Sequence, residues 1–557
     1  MKSWTEISQQ AVVQDRSIAV LPESPLSPVT AKAESVGHLL EHPVLTALGV
    51  TTITLEIMLA GLISPSNNIY YHYSGTLPAV IVPVLVNFGA VWLLVALLLS
   101  WARRHPRWEN WIFGLLAVGL GWMVLRDVDS LSASPISRSA DLAYFCGVAL
   151  AAAILLRAPA HERLVRHVRG LFLTLLTFLG VSGALVLVQI LFLAWRARDL
   201  NVPHPLHQRA ALARNAAPHG RIVWIVFDEL SYRQVYEHRY PGLELPAFDR
   251  LARSSTVFTH AVPVGVHTEN VLPALMTGEP INGVHAPPAG LPLSIHNRIT
   301  GVWETLDPHN TVFQDALNAG YSTAVAGWYN PYCRILPAVL DRCFWTARSR
   351  LPFGIFPGQS IAWNTEQPVL RHLLTPLRML HLLPEAPSPE LTFHQQDYFD
   401  LYRAGDGMLA DPQTDFLLLH MPIPHPMGIY NRHTASFVVS HPSYLDNLAL
   451  CDVYLAHLRE EMERDGTWDD ATIIIMGDHS WRVHLGWALA PEWTHEESVA
   501  SDNATFDNRP LYLVKLPHQT TATRIDTPFA ALRTRALFDQ VLARKIETPQ
   551  QLAAWTH

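Results

Sequence analysis

The chain has 557 residues, of which 49% are hydrophobic and only 16% are charged, and its formal net charge is -8. Soluble proteins have about 25% charged residues, so this composition predicts that part of the chain lies in lipid. The negative charge leaves no basic groove for nucleic acid, and the length allows roughly two or three domains.

Five apolar blocks follow one another in the first part of the chain. They cover residues 43–63, 77–101, 108–125, 139–156 and 171–195. A membrane-spanning helix needs about 20 mostly apolar residues, and the last block meets this requirement with Gln189 as its one strongly polar residue. The third and fourth blocks are shorter, so buried helices of a soluble domain are the alternative for them.

Arginines are distributed unequally among the loops between these blocks. Residues 101–107 and 157–169 are rich in arginine, whereas residues 64–75 contain neither lysine nor arginine. The positive-inside rule places the arginine-rich loops in the cytoplasm and predicts five spans with the N-terminus inside. The chain after about residue 196 is then extracytoplasmic, in the periplasm or outside the cell. The polar N-terminal stretch does not have the pattern of a cleavable signal peptide.

Strand and helix patterns alternate after residue 220. The predicted strands lie at residues 222–227, 321–328, 415–421, 471–476 and 510–517. Continuous apolar runs of this kind are typical of strands that are buried on both faces of a parallel sheet. Residues 442–466 have apolar residues at helical spacing and end in a glycine. The alternation predicts an α/β sandwich with a mostly parallel central sheet.

These patterns divide the chain into five parts. They are a polar cytoplasmic tail at 1–42, a five-helix transmembrane domain at 43–195, a linker at 196–220, an extracytoplasmic α/β domain at 221–520 and a C-terminal helical tail at 521–557.

Two of the four cysteines, Cys333 and Cys343, lie close together in the part predicted to be extracytoplasmic. An oxidising compartment favours a disulfide between them, and a pair of free thiols is the alternative. Cys451 lies in the helix predicted at 442–466, where its expected role is packing.

Carboxylates and histidines stand at the ends of three predicted strands. They are Asp228, Glu229, His420, His425, Asp478 and His479. Open α/β sheets place their ligand sites at the carboxyl ends of the strands, so these side chains are expected to meet. Carboxylate oxygens with neutral imidazoles predict a divalent metal site for Zn²⁺ or Mn²⁺, with Ca²⁺ or Mg²⁺ as alternatives. Each aspartate taken alone could equally cap the next helix.

Thr268 stands directly before a helix predicted at residues 269–277. A threonine hydroxyl is a poor nucleophile unless a base or a metal activates it. The N-terminal amides of the helix would favour a bound oxyanion such as phosphate or sulfate. The alternative role for Thr268 is that of an N-cap, and the two roles are compatible.

Several motifs resemble, in order, those of the sulfatase-like branch of the alkaline phosphatase superfamily. They lie at residues 245–262, 259–278, 419–426, 446–480 and 509–517. The resemblance implies an alkaline-phosphatase-like fold. It also implies a metal site with a nucleophile and a histidine near the transferred group. The matching residues are Asp228, Thr268, Asp478 and His479 for the metal and nucleophile, and His425 for the histidine. The membrane half with an outer domain resembles the lipoteichoic acid synthases and phosphoethanolamine transferases.

Departures from the family motifs narrow the expected chemistry. Formylglycine-type sulfatases carry Cys-x-Pro-x-Arg at the nucleophile, whereas this chain has Thr268, so sulfate ester hydrolysis by that route is not expected. Two-metal members have an aspartate where this chain has Met421, so one metal is predicted. Phosphoethanolamine transferases have a glutamate at the first strand. Asp228 therefore leaves the branch open, and Glu229 is either a second ligand or a helix-start residue.

A last histidine of the superfamily follows the Gly-Asp-His motif. His484 and His495 are both candidates, and His495 is preferred because it lies shortly before the next predicted strand. Arg482 could steady a phosphate oxygen, with a solvated arginine as the alternative. The expected substrate-binding residues are Glu229, His420, Arg482 and His484.

The residues and the resemblance together predict a membrane-anchored, metal-dependent enzyme that transfers or hydrolyses a phosphoryl or phosphodiester group. Thr268 would form a covalent intermediate, while His425 and His495 would stabilise the transferred group and protonate the leaving group. The expected partners are the lipid bilayer and a phosphate or sulfate ester, which could be linked to a lipid or a glycan. One alternative is a simple sulfuric or phosphoric ester hydrolase, and another is a catalytically silent sensor or scaffold of the cell envelope.

Overall fold

The computed structural model describes residues 42–55, 77–105, 111–112, 114–121, 162–196 and most of 220–556, with a few further residues between 59 and 206. The gaps after residue 220 lie within 286–292, 349–359, 367–388, 439–442 and 486–492. The predicted cytoplasmic tail before residue 42, most of the fourth predicted span and most of the linker therefore lie outside the described residues, whereas residues 111–112 and 114–121 of the third predicted span are helical.

Three apolar helices are described before the α/β domain. They are α1 (Pro43–Thr54), α2 (Leu77–Arg104) and α3 (Glu162–Arg196). By length and composition, the stretches Ile81–Arg104 and His167–Phe192 could each cross a membrane, and they coincide with the second and fifth predicted spans. Among the described residues these two are the candidate spans, so the five-span arrangement stays a prediction.

Glycines bring α1 and α3 into close contact. A Cβ atom on Gly49 would lie 1.8 Å from the backbone oxygen of Leu176, and one on Gly180 would lie 2.6 Å from that of Leu45. Helices in lipid associate through small residues in this way, because no hydrophobic effect drives them together. The outer faces of α2 and α3 instead expose large apolar side chains, among them Leu94.

An eight-stranded sheet lies at the centre of the domain after residue 220. With strands numbered in chain order, the sheet order is β14 (Thr523–Ile525), β2 (Thr256–Phe258), β13 (Tyr512–Lys515), β12 (Thr472–Gly477), β1 (Ile222–Asp228), β9 (Phe416–Pro424), β7 (Thr323–Trp328) and β8 (Arg342–Thr346). The run from β12 to β8 is parallel, and β13 is antiparallel to both neighbours. The predicted mostly parallel sheet is confirmed.

The remaining elements cover the sheet or extend it. The small strands are β3 (Ala261–Val262), β4 (Ile281–His285), β5 (Ser294–Asn297), β6 (Trp303–Thr305), β10 (Tyr430–Asn431), β11 (Ser436–Phe437) and β15 (Phe529–Ala530). The helices are α4 (Pro246–Ala252), α5 (Thr268–Thr277), α6 (Val312–Asn318), α7 (Tyr332–Ile335), α8 (Pro389–Leu409), α9 (Tyr444–Arg464), α10 (His495–Ala500), α11 (Thr534–Leu542) and α12 (Pro549–Thr556).

Each face of the sheet has its own hydrophobic core. Val223, Ile225 and Phe227 of β1 pack with residues of α4, α8 and α9, whereas the alternate residues of β1 pack with residues of α5, α6 and α11. Every residue of β1 is buried. Successive side chains of a strand point to opposite faces, so a strand between two cores needs an uninterrupted apolar run.

Two details concern the predicted tail and the cysteines. Thr523–Ile525 pair in parallel with β2, so the region predicted as a helical tail also supplies the edge strand of the main sheet. The predicted disulfide is confirmed: Cys333 of α7 is bonded to Cys343 of β8. Cys451 is buried in α9, as its predicted packing role requires.

Candidate active site

The neighbouring strands β1 and β12 bring two aspartates together. Phe227 of β1 pairs with Gly477 of β12, so Asp228 and Asp478 follow side by side at the carboxyl edge of the sheet. Both are fully buried. A Cβ atom on Gly477 would lie 2.4 Å from the backbone oxygen of Leu230, so only glycine permits this close approach.

Thr268 lies between these aspartates. Its Oγ1 is 3.1 Å from Oδ2 of Asp228 and 2.8 Å from Oδ2 of Asp478. The same oxygen is 3.4 Å from Nε2 of His479. We call Asp228, Thr268, Asp478 and His479 the nucleophile cluster.

The structure does not support the alternative that Thr268 caps α5. Thr268 is the first residue of the helix, and the N-cap residue is His267, whose side chain forms no capping hydrogen bond. The Thr268 hydroxyl is directed at carboxylates instead of at the amides of its own helix. Its position at a helix N-terminus also places it where backbone amides favour an anion.

Burial perturbs the acids of the cluster. Burial, and then the charge of Asp478, raise the pKa of Asp228 well above its usual range. Burial also raises the pKa of Asp478. Two ionised carboxylates that contact the same hydroxyl repel each other strongly in a poorly solvated site. A divalent cation between them would stabilise both in the ionised form.

Two histidines at the same edge, His479 and His420, are neutral. Burial lowers the pKa of His479 to about 3 and that of His420 to about 4. Neutral imidazole is the form that binds metal ions, because its nitrogen lone pair is then available.

Two groups of side chains could each hold a metal ion. Their ligand atoms lie within 4.8 Å of one another, and the groups are Asp228 with His420 and Asp478, and Asp228 with Glu229 and His425. Oδ1 of Asp228 and Nε2 of His420 are buried without a hydrogen-bond partner among the described residues. An unsatisfied buried polar atom costs about 1–3 kcal/mol, and a bound cation would remove this cost. The donor set therefore fits a divalent ion.

Arg482 is hydrogen-bonded to Glu229, a member of the second of these groups. Its Nε donates to Oε1 of Glu229 at 2.9 Å, its backbone amide donates to Oε2 at 3.0 Å, and Nη1 donates to the carbonyl of Val266 at 3.0 Å. Burial opposes the charge of this guanidinium, but Glu229 and Asp228 outweigh burial and raise the pKa of Arg482. The arginine is therefore a paired, mostly buried cation, and the alternative of a solvated side chain is wrong.

His425 is buried next to the site, among aromatic rings. Its ring centroid is 5.4 Å from that of Trp328 and 5.3 Å from that of Trp487. Its Nε2 is 3.8 Å from Oε1 of Glu229. Asn447 holds the backbone here, because its Nδ2 donates to the carbonyl of His425 at 3.0 Å.

His484 and His495, the two candidates for the last histidine, do not contact the nucleophile cluster. His484 is exposed and packs against Phe506, with ring centroids 3.9 Å apart. His495 is also exposed and begins α10, whose capping box is formed by Thr494 and Glu497. Among the described residues, no hydrogen bond or ion pair links either histidine to the nucleophile cluster. Their predicted roles remain predictions without geometric support.

Tyr332 is a site residue that the sequence patterns did not identify. Its hydroxyl lies 2.8 Å from Nδ1 of His420. Tyr332 follows β7 by four residues, so the strand-end pattern could have found it if tyrosine had been considered beside carboxylates and histidines.

Comparison with known proteins gives one family. Residues 221–497 match the family model described as Sulfatase, and no curated protein sequence matches the chain. Among solved structures, the chain is similar to Ps i-CgsB in complex with k-i-k-neocarrahexaose, with 17% identity and a TM-score of 0.37 over 60% of this chain and 74% of that one.

Two phosphonate monoester hydrolases are also similar. The enzyme of Agrobacterium radiobacter is 13% identical, with a TM-score of 0.35 over 58% of this chain and 74% of that one. The enzyme SpPMH from Silicibacter pomeroyi is 11% identical, with a TM-score of 0.38 over 58% of this chain and 73% of that one.

Proposed function

We propose that this chain, whose residues 221–497 form a Sulfatase domain, is a metal-dependent enzyme whose nucleophile is Thr268. It would transfer or hydrolyse a phosphoryl or phosphodiester group. One observation carries this proposal: a buried threonine hydroxyl at a helix N-terminus lies 2.8 Å from the carboxylate of Asp478 and beside Asp228 and His479.

The proposed metal ligands are the members of the nucleophile cluster. Asp228 and Asp478 would contribute carboxylate oxygens, His479 a neutral nitrogen and Thr268 its hydroxyl oxygen. When bound, the ion would supply the positive charge that lowers the pKa of the threonine hydroxyl. The first-turn amides of α5 would face the oxygens of the transferred group.

Thr268 would act by covalent catalysis. Its Oγ1 forms a bond to phosphorus, the bond from phosphorus to the leaving oxygen breaks, and the hydroxyl proton passes toward the neighbouring carboxylates. His425, which lies close to Glu229, would protonate the leaving oxygen. Water or an acceptor alcohol then attacks the phosphothreonine and restores the hydroxyl.

One metal ion suffices for this arrangement. Met421 stands where two-metal members have an aspartate, and Arg482 places a fixed positive charge on Glu229. A guanidinium in this position would neutralise the carboxylate that a second ion would otherwise neutralise. Sulfate ester hydrolysis through formylglycine is not proposed, because the nucleophile position holds threonine.

We also propose that the enzyme is anchored in a membrane with its α/β domain on the outer side. The two long apolar helices and the arginine-rich loops support this. Reporter fusions after residue 65, within 101–107, within 157–169 and after residue 200 should read outside, inside, inside and outside. A cytoplasmic readout after residue 200 would overturn the anchored topology without affecting the proposed chemistry.

Substitutions of Thr268 test the nucleophile. Thr268→Ala should lower turnover of a generic phosphodiester by roughly 10⁴-fold or more, because the attacking atom is missing. Thr268→Ser keeps the hydroxyl and should retain part of the activity. Mass spectrometry of the wild type during turnover should find phosphate on the Thr268 peptide.

Thr277→Ala is the matched control for this experiment. It removes a hydroxyl from the same helix, where the Thr277 hydroxyl donates to the carbonyl of Pro273 at 2.8 Å and accepts from the amide of Glu279 at 3.2 Å. Turnover should change little. If Thr268→Ala kept wild-type turnover while Asp478→Asn abolished it, direct attack by water would replace the covalent step. If neither change affected any ester hydrolysis, the alternative of a silent scaffold would be favoured.

A further inference from the structure

Tyr332 and His420 form a buried pair beside the nucleophile cluster, and the mechanism above uses neither. Both side chains are fully buried, and their rings meet edge to face at 88°. The Tyr332 hydroxyl lies 2.8 Å from Nδ1 of His420.

The Tyr332 contact occupies one nitrogen of His420, Nδ1. The other nitrogen, Nε2, is buried without a hydrogen-bond partner among the described residues, so it is open to a metal ion. His420 belongs to the possible metal group with Asp228 and Asp478. A cation between these three side chains would accept the nitrogen lone pair and neutralise the carboxylates.

Two features hold Tyr332 in place. Its ring lies directly on β7, because a Cβ atom on Gly327 would be 2.2 Å from Cε2 of the tyrosine. Gly327 is also the residue that pairs with His420 across the sheet. The next residue in the chain, Cys333, is bonded to Cys343 of β8, which ties the turn of α7 to the sheet edge.

We propose that Tyr332 is a positioning residue that fixes the His420 ring so that Nε2 serves as a further ligand of the metal ion at the nucleophile cluster. The Cys333–Cys343 bridge holds the tyrosine where it can do so. This inference rests on the proposed function in requiring a divalent ion at the cluster. It adds His420 to the four proposed metal ligands. It also adds Tyr332 as the partner that orients this histidine.

The hydroxyl is the part of Tyr332 that matters for this role. Tyr332→Phe keeps the ring against Gly327 and removes only the hydrogen-bonding atom. Partners that orient a metal ligand typically contribute about 10- to 100-fold to metal affinity. Tyr332→Phe should therefore weaken metal binding within this range, and His420→Gln should weaken it at least as much.

The test measures Co²⁺ binding to the full chain in detergent, by competition with a chelator and by the visible absorption of the bound ion. Co²⁺ absorption reports the ligand set directly, so it moves only if coordination changes. Tyr332→Phe and His420→Gln should lower affinity and alter the spectrum. The matched control is Tyr512→Phe, which removes a buried hydroxyl bonded to Thr534 at 3.1 Å and should leave affinity and spectrum unchanged.

The bridge is tested in the same assay. The double variant Cys333→Ser with Cys343→Ser should weaken Co²⁺ binding in the same direction as Tyr332→Phe, and combining the two changes should add little. If Tyr332→Phe does not fold, Gly327→Ala replaces it, since the added methyl group displaces the ring.

The outcomes separate this inference from the proposed function. Wild-type affinity and spectrum in both Tyr332→Phe and His420→Gln would overturn the inference and leave the metal-dependent mechanism standing. Absence of Co²⁺ binding by the wild type would overturn both. Normal binding by the cysteine double variant, with weakened binding by Tyr332→Phe, would remove the role of the bridge alone.

Discussion

The two edges of the central sheet differ in how their ionisable side chains are hydrogen-bonded. At the amino edge, Arg221 donates to the carbonyls of Leu409 and Asp411 at 2.5 and 2.9 Å. Lys515 lies at the same edge, and its Nζ donates to three backbone carbonyls at 2.7 to 3.1 Å. At the carboxyl edge, by contrast, Asp228 and His420 retain buried atoms without a partner.

This difference distinguishes structural charge from functional charge. At the amino edge, backbone carbonyls of the protein itself accept hydrogen bonds from both cations, so these two charges need no added ligand. The carboxyl edge gathers carboxylates and neutral imidazoles that only an added cation would satisfy. Local violations of polar satisfaction in a folded domain are expected where a ligand binds. The predictions that follow disturb each edge in turn.

The largest effect is expected from Asp478→Asn at the carboxyl edge. The amide removes a negative charge and a ligand, so metal affinity should fall by at least about 100-fold and turnover should be lost with it. The metal-free variant should unfold at a higher temperature than the metal-free wild type, because the repulsion between Asp228 and residue 478 is gone. Metal analysis after gel filtration and thermal unfolding with a chelator measure the two effects.

Asp415→Asn is the control at the amino edge. Asp415 accepts hydrogen bonds from the amide and hydroxyl of Ser322, both at 3.0 Å. Its loss should affect stability but leave metal content unchanged. Equal metal content in Asp478→Asn and the wild type would contradict the contrast between the edges.

The second prediction concerns pH. Burial, and then the charge of Asp478, raise the pKa of Asp228, and burial raises that of Asp478. Protons therefore compete with the metal ion at a higher pH than they would at exposed aspartates, whose pKa is about 3.9. His479, with a pKa lowered by burial to about 3, stays neutral through this range. Metal should be lost as the pH falls through the raised aspartate pKa values.

The metal-free protein should show the opposite dependence. A raised pKa means that the folded state binds the proton more tightly than the unfolded chain does. This contribution to the free energy of unfolding is complete below the unfolded pKa and is lost as the pH rises through the folded one. Thermal unfolding with and without metal, between about pH 4 and 8, measures both slopes. Parallel slopes would show that the aspartates do not bind the ion.

The carboxyl edge could be predicted from the sequence because burial leaves a local pattern. β1, β9 and β12 are buried on both faces, so each is an apolar run, and the polar residue that ends it is conspicuous. This pattern predicts Asp228 and Asp478 as site residues, and the place of Thr268 before a predicted helix predicts the third. The structure brings the three side chains together. The edge strand Thr523–Ile525 has three residues, too few for a strand pattern, and it was predicted as part of a helical tail.

The hydrogen-bond partners of the site residues could not be predicted, because the two members of each pair lie far apart in the sequence. Tyr332 and His420 are 88 residues apart, and Arg482 and Glu229 are 253 residues apart. The preference for His495 over His484 rested on position in the chain, which does not determine the direction in which a side chain points. In the structure, both lie outside the nucleophile cluster.

The smallest effect is expected at the amino edge, from Lys515→Met. Methionine fills a similar volume but cannot donate to the carbonyls of Trp468, Asp469 and Ala471, and an unsatisfied buried acceptor costs about 1–3 kcal/mol. The cost is partly offset, because burial disfavours the lysine charge and lowers its pKa to about 8. The free energy of unfolding should therefore fall modestly, while metal affinity and turnover stay at wild-type values.

The pH dependence of this variant supplies a second measurement. Because the folded pKa of Lys515 is lowered from its ordinary value of 10.5 to about 8, the unfolded chain binds more protons between these limits. Wild-type stability from this group therefore rises with pH across the interval, and the difference between wild type and Lys515→Met should widen there. Urea unfolding at about pH 7 and pH 9.5 measures it. A loss of metal in Lys515→Met would mean that the two edges are coupled, and that the amino edge is not purely structural.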